Sequence, residues 1–377
     1  MSICREELAC SAWFQKIEGI GSVTLFRLLE QFGSMSAAYG TADENMKKVL
    51  SAKQFTAWKA AQYAQSPEMY LDKVEAMGIR YVPYDEEIYP EKLRNIPDPP
   101  FGLFLKGSLP EERRASIAII GARACSEYGK KVAMDFSARF AECGVQVISG
   151  MARGIDSISQ NACLENGGKT FAVLGSGVDI CYPGELKGLY DGIQKQGGLL
   201  SFYAPGTPPL AMNFPPRNRI ISGLADLILV VEARRKSGTM ITVDMALEQG
   251  KEVAVVPGRI TDQLSLGCHD LIKQGAMVVL DVEQVLEILQ DVCSCREIFV
   301  NSGHEKVQEP GFAGKNLKED LKSIWKVLTE EPIEAEKLYA RWKDMEGNGS
   351  FQKFMEGLVD LELMDLCKVS KNRFSIR

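Results

Sequence analysis

Short runs of β-branched and apolar residues recur through the middle of this chain, at 117–120, 145–149, 171–174, 199–201, 227–231, 253–256 and 277–280. Most are separated by stretches of helical period. In the first of these, Val132, Phe136, Phe140 and Cys143 fall at i, i+4, i+8 and i+11, which makes one apolar stripe. A strand that is apolar along its whole length is covered on both faces. Buried strands alternating with amphipathic helices mean a mainly parallel sheet with helices on either side. About seven strands over some 175 residues predict one large doubly wound α/β domain spanning 80–292.

The flanks have a different character. With 377 residues, two or three domains are expected. Residues 1–75 read as a helical unit. Leu25, Leu28, Leu29 and Phe32 recur at helical spacing, and Gly33 stands where a glycine terminates a helix. Gly19 and Gly21 form a G-x-G turn that could offer N–H groups to a phosphate. No basic residue flanks it, so a tight interhelical turn is the favoured reading. Residues 80–110 are proline-rich, an ordered connector with one short strand at 102–105. Residues 293–317 read as a polar linker. Beyond it, helices near 318–329, 334–343 and 350–360 and a hairpin over 363–376 predict a winged helix. Its third helix brings a single lysine, Lys353, too little for a reader of the DNA major groove. An interaction or structural role is expected for this unit.

The net charge is −6, so general coating of nucleic acid is disfavoured, although a local basic groove is not. Ten cysteines are scattered without a CxxC pair, and only two histidines accompany them. Free thiols in a reducing cytoplasm are expected, with no structural metal. No apolar run reaches the roughly 18 residues of a membrane span, and the first residues lack the apolar core of a signal peptide.

Ligands of open α/β sheets bind at the carboxyl ends of the strands. Here those ends pair glycines with cations. Gly121-Ala-Arg123 leads to Ser126, Gly150-Met-Ala-Arg153-Gly154 leads to Asp156, and Arg234-Arg235-Lys236-Ser237-Gly238 follows the fifth strand. Phe214-Pro-Pro-Arg217-Asn218-Arg219 lies between the fourth and fifth strands, and Arg259 follows the sixth. Glycines let backbone N–H groups approach an anion, and helix N-termini add positive potential. An acidic chain that gathers its cations on one edge is built for a polyanion or a multiphosphate. Neither a G-x-G-x-x-G nor a G-x-x-x-x-G-K-[ST] fingerprint is present, which disfavours NAD and ATP. No nucleophile–base pair stands out. Ser126 and Ser237 read as helix N-caps or phosphate donors, Asp156 as an N-cap or ion-pair partner, and Glu232 as a charge-paired structural group.

Taken in order, these motifs resemble the DNA-processing protein A (DprA/Smf) family. They include SGMARGID at 149–156, AVLGSGVDICYP at 172–183, FPPRNRIISGL at 214–224, KSGTMIT at 236–242, VAVVPG at 253–258 and LIKQGAMVV at 271–279, with YPEKLRNIPDPPFGLFLKG at 89–107 upstream. The resemblance implies a Rossmann-like domain between an N-terminal helical, SAM-like domain and a C-terminal winged helix. It implies a cytoplasmic protein that binds single-stranded DNA without regard to sequence, protects incoming strands in natural transformation and loads the RecA recombinase. It implies no enzymatic activity, cofactor or metal, and a homodimer formed near 271–279. Backbone phosphates are implied at Gly121, Arg123 and Ser126, at Gly150, Arg153 and Gly154, at Phe214, Arg217, Asn218 and Arg219, and at Lys236, Ser237 and Gly238. Phe214 could stack on a base, or pack beneath the turn at Pro215 and Pro216.

The chain departs from the family pattern at Gln160, Phe202 and His269, where a histidine, a glutamate and an asparagine are usual. The competing reading is a nucleotide phosphoribohydrolase on a related scaffold. Its P-G-G-x-G-T-x-x-E signature is only loosely approached by 236–239 and Glu248.

Overall fold

The structure is a computed structural model and describes residues 3–293, 319–325, 327–328, 333–346, 350–363, 367–370 and 373–376. Residues up to 301 belong to one compact unit and those from 302 to a second. The expected linker lies outside the described residues except for Cys293.

The first unit opens with six helices, α1 (Arg5–Gln15), α2 (Ser22–Phe32), α3 (Met35–Tyr39), α4 (Asp43–Val49), α5 (Ala52–Ala64) and α6 (Pro67–Ala76). The helix read from the leucine spacing is α2. Leu25 and Leu28 are buried, and Gly33 closes it in the left-handed region, its N–H bonded to Leu29 O at 2.8 Å. The G-x-G turn joins α1 to α2 and is tied down by Gln54, whose Nε2 donates to Gly19 O at 2.8 Å. These helices share their apolar core, built on Trp13, Phe14, Leu28 and Trp58, with Tyr81, Phe101 and Phe104 of the following sheet. The helical region and the sheet are therefore packed as one body.

The sheet follows in the order β1 (Arg80–Pro83), α7 (Glu91–Arg94), β2 (Gly102–Gly107), β3 (Ser116–Ile120), α8 (Glu127–Glu142), β4 (Gln146–Ser149), α9 (Ile155–Glu165), β5 (Thr170–Val173), α10 (Lys187–Gln196), β6 (Gly198–Ser201), α11 (Phe214–Leu224), β7 (Leu227–Val230), α12 (Gly238–Glu248), β8 (Glu252–Val255), α13 (Leu266–Lys273), β9 (Met277–Val278) and α14 (Val282–Val292). Its nine strands lie in the order β1-β2-β6-β5-β4-β3-β7-β8-β9. The seven from β6 to β9 are parallel, and β2 and β1 extend that edge in antiparallel fashion. The parallel strands match the seven apolar runs. β1 and α7 are additions to the expected connector.

Alternation explains why the strands are apolar along most of their length. In β3, Ala118 and Ile120 point into the layer with Ile220, Ile221 and Val243, while Ile117 and Ile119 point into the layer with Ala133, Phe140 and Leu289. The stripe read in α8 supplies that second layer. A buried ion pair fastens α7 to the sheet: Lys92 Nζ lies 2.7 Å from Asp226 Oδ2, which also accepts the Ser116 N–H at 2.9 Å.

The second unit holds α15 (Glu319–Trp325), β10 (Ile333–Glu334), α16 (Ala335–Glu346), α17 (Phe351–Leu363), β11 (Cys367–Ser370) and β12 (Arg373–Ile376). Its strands pair antiparallel in the order β10-β12-β11. Ile324, Leu338, Trp342, Phe354 and Leu361 form its core. The three helices and the hairpin fall where they are expected, and β10 is an addition. Among the described residues no helix is long and apolar enough to cross a membrane, and the described cysteines are free thiols.

Candidate nucleic-acid interface

The chain winds outward from β3 in both directions, to β4 on one side and to β7 on the other. The loops leaving β3 and β7 therefore diverge and open a crevice at the carboxyl edge, where such sheets bind ligands. Glycines let three loops meet at its floor. A Cβ on Gly121 would lie 2.6 Å from Ile155 Cγ1, and one on Gly154, at φ 78°, would lie 2.2 Å from Ala122 O. The resulting cleft has a volume of about 700 Å³. Gly121, Arg123, Phe214, Arg217, Asn218, Arg234, Ser237 and Gly238 are among the residues that line it.

Arg123 and Arg234 are exposed on the cleft wall, and Lys236 is exposed beside the lining residues Ser237 and Gly238. None of the three makes an ion pair among the described residues. Helix α12 starts here. Ser237 is its N-cap, but its side chain caps nothing, and its Oγ is shielded from solvent without a partner in the described residues. A Cβ on Gly238 would meet no atom within 4 Å, so the first turn faces open space. Unsatisfied N–H groups, the positive end of a helix dipole, a spare hydroxyl and three cations without an ion pair among the described residues are groups that attract an anion.

The other expected contacts are spoken for. Ser126 N-caps α8, accepting the Gly129 N–H at 3.1 Å, and its Oγ–H is donated to Glu232 Oε1. The other oxygen of Glu232 accepts the Ser126 backbone N–H at 2.9 Å. Ser126 is therefore not a spare phosphate donor, and Glu232 satisfies a helix N-terminus rather than the neighbouring arginines. Arg153 is exposed but ion-paired with Glu185, 32 residues away in sequence. Arg219 sits two positions past Arg217 on α11, roughly 200° round the helix. It therefore leaves the cleft, pairs with Asp98 and lies 5.3 Å over the Phe202 ring. Arg235 pairs with Asp270 at 2.7 Å, and Arg259 is outside the cleft lining.

Arg217 is 3% exposed and braces the cleft wall from within. Its Nη1 donates to Gly150 O at 2.8 Å and to Val173 O. Burial pulls its guanidinium down to about 10, against the opposing charge of Asp156, and Arg123 adds to the fall. Burial likewise raises the Asp156 carboxyl, which Arg217 and the Gly150 N–H counteract. Asp156 Oδ2 accepts that N–H at 3.1 Å. Met151 is fully buried at φ 51°, a costly conformation for a side chain of its size. Its N–H is bonded to Gln160 Oε1 at 3.1 Å. The N–H groups of Gly150 and Met151 are thus bound by the chain's own side chains and are not open to a phosphate.

Phe214 packs on one side and leaves part of its ring open to the cleft. One side of the ring rests on Gly175, where a Cβ would come within 2.7 Å, and the side chain is half-buried on the cleft wall. Arg123 and Arg217 stand 5.8 and 5.7 Å from its centroid, and Tyr182 packs on it at 5.8 Å. Sequence reasoning left Tyr182 out of the binding set and counted Arg234 among the strand-end cations without assigning it a phosphate contact. The AVLGSGVDICYP motif carries Tyr182, but its exposure is not encoded there.

The departures from the family pattern have structural roles. Gln160 is fully buried, and its Nε2 donates to Thr170 Oγ1 at 3.2 Å and Phe171 O at 3.1 Å. Phe202 stacks on Tyr203 at 4.0 Å. His269 Nε2 lies 3.0 Å from Gly258 O.

A doubly wound α/β protein with a cation-lined cleft at its topological switch point is the class that fold and site define. The particular family follows from comparison. The model of the family described as DNA recombination-mediator protein A matches residues 80–290, more than half of the chain. DNA processing protein DprA of Streptococcus pneumoniae is 43% identical over 201 residues, 53% of this chain and 71% of that protein. Protein Smf of Escherichia coli is 40% identical over 247 residues, 64% and 66% of the two chains. The solved structure of the Streptococcus pneumoniae DprA superposes with a TM-score of 0.66 at 33% identity, covering 76% of this chain and 98% of that one. DNA processing protein A from Helicobacter pylori, whose structure is described as showing a unique single-stranded DNA binding mode, gives 0.51 at 25% identity over 56% and 96%. The chain belongs to the DNA recombination-mediator protein A family.

Proposed function

We propose that this protein binds single-stranded DNA without regard to sequence and acts as a recombination mediator that protects strands and hands them to a RecA-type recombinase in the cytoplasm. The observation that carries the binding is the cleft where Arg123, Arg234 and Lys236 stand uncommitted around the open N-terminus of α12. Uncommitted cations track phosphates without reading bases, and the half-buried Phe214 adds a base-tolerant surface. The Helicobacter pylori relative, described by its single-stranded DNA binding mode, supports the same reading. Recombinase loading rests on the family membership alone.

The activity is binding rather than catalysis. The buried acids at the cleft, Asp156 and Glu232, are both engaged in holding backbone and helix termini. A homodimer is proposed through the β9 edge. There Leu271 and Val279 are buried in the core, while Val278 and Leu280 are 42% and 72% exposed. The second unit is read as a winged helix with an interaction or structural role.

The test is fluorescence anisotropy of labelled oligo-dT against a duplex of equal length, at two salt concentrations. Tight, salt-sensitive preference for the single strand is expected. Equal or absent binding would overturn the proposal, and length-independent binding of mononucleotides would point to the phosphoribohydrolase-like enzyme.

A further inference from the structure

Helix α17 is the third helix of the second unit, the place of the DNA-reading helix in a winged helix. Its inner face is fixed by packing. Phe354, Leu358 and Leu361 are fully buried, and a Cβ on Gly357 would lie 2.3 Å from Ile324 Cδ1, so α15 seats directly on the α17 backbone. The outer face carries a different pattern. Phe351, Met355 and Val359 stand at i, i+4 and i+8 and make one apolar row over roughly 80° of the helix. Phe351 meets Tyr339 edge to face at 5.1 Å yet stays 41% exposed, and Val359 is 47% exposed. Glu356 and Asp360 run exposed along one flank of the row, and Glu362 is exposed at its C-terminal end. Against these three acids the helix sets one cation, Lys353.

We propose that this face docks a basic amphipathic helix of a protein partner, apolar row against apolar row, with the partner's lysines or arginines over Glu356 and Asp360. The inference rests on the reading of the second unit as an interaction module and is independent of the cleft. Charge decides the occupant. A duplex laid on α17 would bring its phosphates against three carboxylates, and like charges meeting across an interface are penalised. An uncharged apolar row would accept any hydrophobic segment, whereas the acidic flank selects a cationic one. Single exposed apolar side chains are ordinary, but a contiguous row rimmed by charge of one sign marks a docking face. Anchors at this spacing suit a helix laid lengthwise along α17.

The experiment titrates the full chain, by fluorescence anisotropy, with two labelled synthetic helices, one of leucine and lysine and one with glutamate in place of every lysine. The wild type is expected to bind the leucine–lysine helix and not its acidic counterpart. Val359→Ser is expected to weaken that binding by about fivefold, and Glu356→Lys combined with Asp360→Lys by about tenfold or more. These positions face solvent, so the melting temperature and the affinity for oligo-dT stay at wild-type values. Failure to bind the leucine–lysine helix, equal binding of the two helices, or an affinity indifferent to both variants would each overturn the proposal. So would a fall in duplex affinity on Lys353→Ala, which would make α17 a DNA contact. That result also removes the interaction reading of the second unit, whereas the others remove only this face.

Discussion

Two segments of the cleft look alike in sequence and differ in structure. The loop from Ala233 to Gly238 and the start of α11 from Phe214 to Arg219 each carry closely spaced cations. In the first, Arg234 and Lys236 remain uncommitted among the described residues, and only Arg235 is paired, with Asp270. In the second, both arginines are used by the fold. Arg217 is buried against two carbonyls, and Arg219 is turned away to Asp98. A cation near a ligand site counts toward binding only if the protein's own acceptors have not already claimed it. The strand-end loops face solvent and leave Arg123, Arg234 and Lys236 without an ion pair among the described residues, while Arg153 and Arg235 are paired there. A helix packed on the sheet directs successive side chains to opposite sides and buries one of them.

Substitutions at these cations put the contrast at risk. The largest effect is expected at Arg217. Arg217→Ala leaves two carbonyls and the Asp156 charge uncompensated in the interior, which costs about 3–5 kcal/mol of stability in urea denaturation. A stability change under about 1 kcal/mol would mean that Arg217 is not a brace. Next come Arg123→Ala and Lys236→Ala, each expected to weaken oligo-dT binding by about 1.5–3 kcal/mol, alike on every sequence, with the melting temperature unchanged. A loss confined to particular bases would contradict phosphate contact. Phe214→Ala follows at about 1–3 kcal/mol of binding, because it removes the half-buried ring that offers a base a surface in the cleft. Smallest is Arg219→Ala. Removing a partly exposed ion pair should cost about 0–1 kcal/mol of stability and nothing in DNA affinity. A clear drop in affinity would return Arg219 to the binding surface.

Much of the fold is legible in the sequence because burial on both faces leaves a strand few polar positions, most of them at its ends. The apolar runs thus mark β3 to β9 directly. β1 is harder to see. It is a four-residue edge strand that begins with an exposed Arg80 and ends in Pro83. β10 has two half-buried residues and no pattern to detect. At the site, residue types and strand-end positions are legible, because anion binding needs glycine and cations there. Pairing is not. Ser126 meets Glu232 across 106 residues and Arg219 meets Asp98 across 121. No local spacing signals contacts of that range. The exposure of Tyr182 is hidden for the same reason, since it depends on where the loop after β5 sits against α11.

The most direct measurement is the salt dependence of oligo-dT binding for Arg123→Ala and Lys236→Ala beside Arg219→Ala. Removing one cation from a single-strand phosphate lowers the slope of log K against log salt by about 0.7. The first two variants are predicted to show that reduction and Arg219→Ala to keep the wild-type slope. Three equal slopes, or a reduction at Arg219→Ala alone, would contradict the assignment of free and claimed cations on which the account rests.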